Sequence, residues 1–488
     1  MRASVKSMGV WLVILLLTGT NVTAADGGRR LVDAVKHQDK ATARALLRQQ
    51  TDVNAAEPDG ATALHWAAHW DDVETADLLI RAGARVNAAN DHGVTSLSLA
   101  CLNGSAAMVV RLLEAGANPN GARATGETPL MTAARVGALA VVHALLTHGA
   151  DVQAREPAQQ QTALMWAVSE RHPAVVRLLI EHGADVRARS KGGFTPILFA
   201  ARAGNLDSTR ALLAAGADVN DAAPDGISVL LVATVRGHAE LAIDLLEWGA
   251  DPNADAAGFS ALHWASGSWE TELTGPNGIE TQADDEWSAL PGIRRDKLRL
   301  VQALLEYGAN PNAELVKLPP RVGYSQLQVE HRVIGVSPHA GATPFLLASM
   351  AGDVDVMRAL AEGGADPRRT AADKTTPLMV AAGLGRYLAE SRVTEERALE
   401  TVKLALELGA DINATNDAGN SALHGAAYIK SNALVQFLVD KGAAINVTNK
   451  RGQTPLTIAD TIRAGSATIS SRTSTGDLLR KLEAAAAR

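Results

Sequence analysis

The fold is decided by a stretch that begins Thr62-Ala63-Leu64-His65-Trp66-Ala67-Ala68, continues to Leu78-Leu79 and closes on Gly83-Ala84. A threonine hydroxyl can accept hydrogen bonds from the free amides of a first helical turn, so Thr62 suits an N-cap. The small apolar residues after it predict a short first helix, and Leu78-Leu79 marks the centre of a second one. Glycine ends a helix in a left-handed conformation without a Cβ penalty, as expected at Gly83. The stretch predicts a helix–turn–helix unit.

This unit recurs along the chain. Gly-Ala pairs that end second helices begin at residues 83, 116, 149, 183, 216 and 249, and then, at wider spacings, at 308, 364, 409 and 442. A second landmark keeps step with them, at Thr128-Pro129-Leu130, Thr195-Pro196-Ile197, Thr343-Pro344-Phe345, Thr376-Pro377-Leu378 and Thr454-Pro455-Leu456. Self-similarity at a period near 33 residues is the signature of a repeat architecture.

The repeated residues resemble the ankyrin repeat, whose pattern is Thr-Pro-Leu-His-x-Ala followed by Leu-Leu-x-x-Gly-Ala-Asp-Val-Asn. Thr62-Ala63-Leu64-His65 and Ser421-Ala422-Leu423-His424 come close to it. The resemblance implies an all-α repeat solenoid of helix–turn–helix units joined by β-hairpin-like loops, of the secreted bacterial type. It also implies that His65, His263 and His424 are structural residues bonded to the backbone of the neighbouring loop.

A leader and two caps complete the expected organisation. Arg2 and Lys6 precede the apolar run Gly9–Leu17, which is too short to span a bilayer and is typical of a cleaved secretory signal. Stacks also need polar caps at both ends. We therefore expect a signal peptide at 1–25, a degenerate N-terminal capping repeat at 28–58, ankyrin repeats at 59–265, repeats carrying three inserts at 266–396, ankyrin repeats at 397–453 and a C-terminal capping repeat at 454–488.

The amino-acid composition excludes several classes of function. Apolar residues make up 47% of the 488 residues but aromatic residues only 3%, which suits short helices packed closely through small side chains. The formal charge of -7 argues against a general nucleic-acid binder. One cysteine, Cys101, excludes an intrachain disulfide and a cysteine zinc cluster, and its slot is usually a buried alanine, so we expect no reactive thiol there.

Three inserts fall in consecutive units, at Gly267–Asp296, Leu315–Ala340 and Leu384–Glu396, the last of which predicts lengthened helices. Insertions within repeats map to loops on one face and are often functional, so a shared site and simple surface decoration both stay open. Carboxylates of the first insert, with His331 and His339, could in principle hold a divalent cation. Their spacing matches no calcium or zinc motif, so we expect no metal.

Trp66, Trp166, Trp264 and Phe199 share the slot four residues after the helix cap. In ankyrin repeats this slot is normally a core leucine between the helices, which favours oversized core filling over a ligand-stacking stripe.

The slots seven and eight residues after the cap face the concave groove in the ankyrin family. Aromatic residues and arginine anchor most of the binding energy in interfaces. The resulting candidate partner-binding residues are Trp70, Arg135, Arg202, Arg236 and Tyr428. The three arginines form a spaced basic row on an otherwise acidic protein, which predicts a partner segment carrying acidic groups. The alternative is that their stems merely cover neighbouring helices.

These observations favour an exported, periplasmic or secreted protein that acts as a protein–protein binding or scaffolding module through its groove and its inserts. No catalytic motif and no cofactor site is recognised, and we expect another protein as partner, no nucleic acid, and no membrane after signal cleavage. The alternative is a metal-dependent enzyme, or an accessory subunit of an exported enzyme, with a site built from the inserts at 266–396.

Overall fold

The computed structural model describes residues 27–267, 293–317, 340–385, 393–461 and 474–486. The predicted signal peptide and most of each insert lie outside these residues. The chain divides into two compact units, Met1–Asp218 and Val219–Arg488.

The first unit is built from short helices that alternate between a first and a second helix of each repeat. In chain order they are α1 (27–36), α2 (Lys40–Arg48), α3 (Ala63–His69), α4 (Val73–Arg81), α5 (Ser96–Asn103), α6 (Ala106–Glu114), α7 (Pro129–Val136), α8 (Leu139–Thr147), α9 (Ala163–Ser169), α10 (Pro173–Glu181), α11 (Pro196–Ala203) and α12 (Leu206–Ala214).

The second unit continues the same alternation. Its described helices are α13 (Val229–Val235), α14 (Ala239–Glu247), α15 (Ala261–Ser266), α16 (Ile293–Glu306), α17 (Pro344–Ala351), α18 (Val354–Glu362), α19 (Pro377–Ala381), α20 (Glu395–Glu407), α21 (Ala422–Tyr428), α22 (Asn432–Asp440), α23 (Pro455–Thr461) and α24 (Thr475–Ala486). Thus α20 has 13 residues, against nine in α14, as the lengthened helix expected near Glu395 requires.

The residues predicted to begin and end the helices do so in the structure. Thr128 begins α7 by accepting a hydrogen bond on Oγ1 from the amide of Met131 at 3.3 Å. Pro129 follows in the first turn, where its missing N–H costs nothing. Gly83 lies two residues beyond α4 at φ +89°, the conformation that a residue with a Cβ rarely adopts.

Hairpin-like loops connect the repeats. Isolated antiparallel β-bridges close them in the described part of the chain, at Ala56–Thr62, Ala89–Thr95, Arg155–Thr162 and Ala222–Ser228. The all-α repeat solenoid with β-hairpin-like loops is therefore confirmed.

A ladder of side-chain amides, mostly of asparagine, ties most of the described repeats to the next one. Asn87 donates from Nδ2 to the carbonyl of Gly116 at 2.9 Å and accepts on Oδ1 from the amide of Asn118 at 2.7 Å. The glycine carbonyl is left free where the second helix ends, so the asparagine satisfies it. Gln153 does the same with the carbonyl of Gly183 at 2.6 Å.

The ladder also crosses the inserts of the second unit. Asn253 donates to the carbonyl of Gly308, 55 residues along the chain, at 2.9 Å. Asn312 likewise donates to Gly364, 52 residues along, at 2.9 Å. The first insert therefore leaves the contact between its own repeat and the preceding loop intact, and the repeats on either side of the second insert are stacked as direct neighbours.

Candidate functional site

The candidate residues lie at the C-terminal ends of first helices. Trp70 follows α3 and is 44% exposed, and its indole Nε1 donates to the carbonyl of Lys36 at 3.0 Å. The ring of His69 lies against it in an edge arrangement, with the centroids 4.6 Å apart. The indole thus satisfies a carbonyl at the end of α1 and leaves much of its apolar face in solvent.

Arg135, at the end of α7, already contacts side chains of its own repeat and of the next one. Its Nη2 lies 3.4 Å from Oε1 of Glu127, and its guanidinium lies over the ring of Trp166, 5.5 Å from the centroid. The same carboxylate also accepts from Oγ1 of Thr132 at 2.7 Å and lies 3.6 Å from Nη1 of Arg123. Arg135 therefore covers a neighbouring ring, as the alternative reading expected, while staying partly exposed.

The basic row is not continuous in the first unit. Arg202 is exposed near the end of α11, but Ser169 and Glu170 occupy the equivalent slots of the repeat between Arg135 and Arg202, and both are exposed. Arg236 is half-buried after α13 and belongs to the second unit.

The prediction that Tyr428 is a partner-binding residue is wrong. The tyrosine at the end of α21 is only 7% exposed, so it is part of the core of the second unit rather than a surface anchor. Leu384, in an equivalent slot, is fully buried as well. These slots therefore do not face solvent in every repeat, and the repeat pattern alone did not distinguish the buried ones.

Sequence reasoning missed an apolar strip on three consecutive repeats. Trp70, Leu102 and Val136, which we call the apolar strip, are 44%, 43% and 38% exposed at the ends of α3, α5 and α7. Leu139, at the start of α8, is 44% exposed beside them in sequence. The slots were recognised, but only aromatic residues and arginine were weighed as anchors, so Leu102 and Val136 were passed over.

The aromatic slot four residues after the cap divides into two kinds. Phe199 and Trp264 are each 8% exposed and fill the core, while Trp66 and Trp166 are half-buried. Phe194 and Phe259, from the hairpin loops, lie beside Phe199 and Trp264 at centroid distances of 5.9 and 6.1 Å. The prediction that the rings in this slot fill the core is therefore correct for Phe199 and Trp264 only.

The Trp66 side chain contacts one acidic and one basic side chain. Its Nε1 donates to Oε2 of Glu57 at 2.8 Å, and Nζ of Lys36 lies 4.7 Å from the ring centroid. Lys36 in turn lies 2.6 Å from Oε1 of Glu57. Trp66, Glu57 and Lys36 therefore form a closed triad, which no sequence motif had indicated.

Trp166 has no carboxylate in the position that Glu57 holds beside Trp66. Its indole nitrogen is shielded from solvent and has no acceptor among the described residues. The loop carboxylate in the corresponding position, Glu156, is taken up by its own loop, where it accepts from the amides of Ala158, Gln159 and Gln161 at 2.7 to 3.0 Å. Although burial acts in the opposite direction, these amides hold the pKa of Glu156 below its ordinary value.

The three pattern histidines are structural. Nδ1 of His65 accepts from the amide of Thr62 at 3.1 Å, and Nε2 lies 3.0 Å from the carbonyl of Val94 in the next loop. His263 and His424 repeat the arrangement with Ser260 and Ser421. Burial lowers the pKa of all three and brings that of His263 to about 4, so they stay neutral near pH 7.

The single cysteine, Cys101, lies buried in α5. Burial raises the pKa of the Cys101 thiol to about 12, which makes it inert. No group of three or more potential metal ligands occurs within residues 27–267, 293–317, 340–385, 393–461 and 474–486. The carboxylates of the first insert, His331 and His339 lie outside those residues. None of the described helices has both the length and the apolar character needed to cross a membrane.

Comparison with known proteins agrees with the repeat pattern. A family profile described as "Ankyrin repeats (3 copies)" matches residues 3–90, 31–123, 78–156, 97–190, 153–223 and 197–272, and one described as "Ankyrin repeats (many copies)" matches 404–459. The crystal structure of the human ASB11 ankyrin repeat domain is 27% identical over 46% of this chain and 94% of that chain, with a TM-score of 0.38. Comparison with curated proteins gives no match.

Ankyrin repeats generally mediate protein–protein interaction, and proteins built from them are typically non-enzymatic binding modules. The profile matches extend over more than half of the chain and agree with the helix pairs, caps and hairpin loops described above. This chain belongs to the ankyrin repeat family.

Proposed function

We propose that this protein is an exported ankyrin module that binds a partner protein at the first-helix ends of its first unit and holds it as a scaffold. The observation that carries the proposal is the apolar strip, since Trp70, Leu102 and Val136 stand exposed on three consecutive repeats. Single exposed apolar residues are ordinary on soluble proteins, whereas neighbouring ones mark interaction sites.

The chemistry around the strip favours a partner segment that is apolar with acidic residues. Arg135 adjoins Val136 and is partly exposed, and Arg202 is exposed two repeats further on. Aromatic and arginine side chains that lose solvent on binding contribute most of the affinity of a typical interface. Apolar contacts along the strip would therefore supply affinity, and the arginines would favour carboxylates.

Binding through the strip can be tested by crosslinking in the native compartment followed by quantitative mass spectrometry. We expect Leu102→Ser combined with Val136→Thr to reduce recovery of the partner about tenfold, because two apolar anchors are lost. Tyr307→Ser is the matched control, since Tyr307 is 44% exposed and belongs to the second unit rather than to the strip. Equal recovery from the double variant and the wild-type protein would contradict the proposal.

Export is supported by the basic residues Arg2 and Lys6 ahead of the apolar run Gly9–Leu17. The small residues Val22-Thr23-Ala24 and Thr23-Ala24-Ala25 offer two cleavage positions. The intact mass of the protein from the exported fraction should correspond to a chain that starts after Ala24 or Ala25. A full-length chain confined to the cytoplasmic fraction would contradict export.

A further inference from the structure

The two half-buried tryptophans of the first unit stand in equivalent environments that differ in one component. Trp66 and Trp166 both lie four residues after a threonine cap, at Thr62 and Thr162. The cations over their rings, Lys36 and Arg135, both come from the end of the preceding first helix. The repeat therefore builds the same pairing of cation and indole twice.

In the first of these sites a carboxylate completes the arrangement. Glu57 accepts from the Trp66 indole at 2.8 Å and lies 2.6 Å from the Lys36 ammonium. Both contacts involve an ionised partner, which makes them stronger than hydrogen bonds between neutral groups. The site at Trp66 thus shows what this pairing of cation and indole binds when an acid is within reach.

In the second site the loop is one residue longer, and this diverts its acid. The amide of Glu57 bonds the carbonyl of Ala61, four residues on, whereas the amide of Glu156 bonds Gln161, five residues on. The longer turn directs the Glu156 carboxylate to three amides of its own loop. Trp166 consequently keeps a buried donor that has no acceptor among the described residues.

Charge at the second site also favours an acid. Arg123 and Arg135 share the single carboxylate of Glu127 at 3.6 and 3.4 Å, both long for ion pairs. Nε of Arg123 is a second buried donor without an acceptor among the described residues. One positive charge is left over from these three groups, whereas Lys36 and Glu57 balance each other. A buried donor without an acceptor is costly, so an incoming acceptor is favoured.

We propose that Arg135 and Trp166 form a receptor for a carboxylate side chain of the partner, which takes the place that Glu57 holds against Lys36 and Trp66. The proposal rests on the proposed function, because the carboxylate comes from the bound partner segment. Since the indole nitrogen is shielded in the free protein, the side chains around the ring, including that of Arg135, have to move as the carboxylate enters. The partner's acid then accepts from the indole and pairs with the guanidinium.

The test follows the indole N–H signals of the 15N-labelled protein, in which Phe substitution at Trp66 and Trp166 assigns the two signals. The probes are acetate and the peptide acetyl-Gly-Glu-Gly-amide, with acetyl-Gly-Gln-Gly-amide and equal ionic strength in chloride as controls. We expect the Trp166 signal to shift saturably with acetate and the Glu peptide only, and the Trp66 signal to stay in place.

Two variants make the test sharper. Arg135→Gln should weaken the response of Trp166 about tenfold or more, because a charged hydrogen-bond partner is lost. Glu57→Ala removes the internal acid of the first site and should make Trp66 respond to acetate as Trp166 does. Circular dichroism confirms that each variant is folded.

The proposal is overturned if the Trp166 signal ignores both carboxylate probes, or if the Gln peptide shifts it as much as the Glu peptide. Its failure is separable from failure of the proposed function, because the strip variant Leu102→Ser with Val136→Thr reports on partner binding without touching Arg135 or Trp166. Loss of partner in the strip variant together with a silent Trp166 would retain the function and remove the carboxylate receptor.

Discussion

Nε2 of His263 donates to the carbonyl of Ala313 at 3.0 Å, across 50 residues of chain. In repeats without inserts the same bond spans 29 residues, from His65 to Val94 and from His424 to Gln453. The imidazole therefore bonds the next hairpin loop in space whatever chain length intervenes. An insert that leaves at Gly267 and returns to the stack in α16 does not disturb the contact between consecutive repeats.

The protonation of His263 should make the second unit less stable in mild acid. In the unfolded chain the histidine takes up a proton near pH 6.5, whereas burial holds the folded pKa at about 4. The unfolded state binds more protons between these values, so the contribution of His263 is complete above pH 6.5 and is lost as the pH falls to 4. The full loss is about 3 kcal/mol.

This prediction is checked by denaturant unfolding between pH 4 and 7.5. His263→Gln should lower the free energy of unfolding at neutral pH and give a flatter pH profile than the wild-type protein. Ser260→Thr keeps the hydroxyl that lies 2.9 Å from Nδ1, so it should keep the wild-type profile. Parallel profiles for His263→Gln and wild type would remove the role assigned to this histidine.

The asparagine ladder should be sensitive to the loss of its side-chain amide groups. Asn87→Ala removes the bonds to the Gly116 carbonyl and the Asn118 amide and is expected to cost about 1–2 kcal/mol. Asn87→Gln is the matched control. Gln153, which follows Asn120 in the ladder, is a glutamine and makes the same pair of contacts. Hydrogen exchange at the Asn118 amide measures the effect locally. Unchanged exchange in Asn87→Ala would show that the ladder adds nothing.

Gly83 should resist substitution because of its backbone alone. Its φ is +89°, yet a Cβ placed there would meet nothing within 4 Å. Gly83→Ala is therefore expected to cost about 1–2 kcal/mol of strain without any clash. Gly192 has equally open surroundings and no left-handed φ, so Gly192→Ala should be close to neutral. Thermal unfolding midpoints compare the two, and equal shifts would contradict this explanation.

Cys101 should be unreactive in the native protein. The residue is fully buried in α5 and its pKa is raised to about 12, so almost no thiolate forms near neutral pH. A thiol reagent such as a maleimide should label Cys101 only after denaturation. Ser169→Cys places a thiol at an exposed position and should label at once in the folded protein. Fast labelling of native wild-type protein would show that the helix opens.

Much of the fold could be predicted because it depends on local chemistry. Thr128-Pro129 begins α7, Gly83 follows the end of α4 and His65 bonds the next loop, and each of these needs only residues within a unit or in its neighbour. The site was less predictable. Exposure at the first-helix ends differs from repeat to repeat, so Tyr428 is buried while Trp70 is open.

The sequence by itself determined the repeat, its period and its structural histidines, since short helices with fixed caps follow from residue type and spacing. Only the tertiary structure decided which polar groups find partners. One extra loop residue turns Glu156 away from Trp166, and the Glu127 carboxylate attracts Arg135 from the next helix. Hydrogen bonds and ion pairs depend on differences of about an ångström, which spacing along a sequence does not encode.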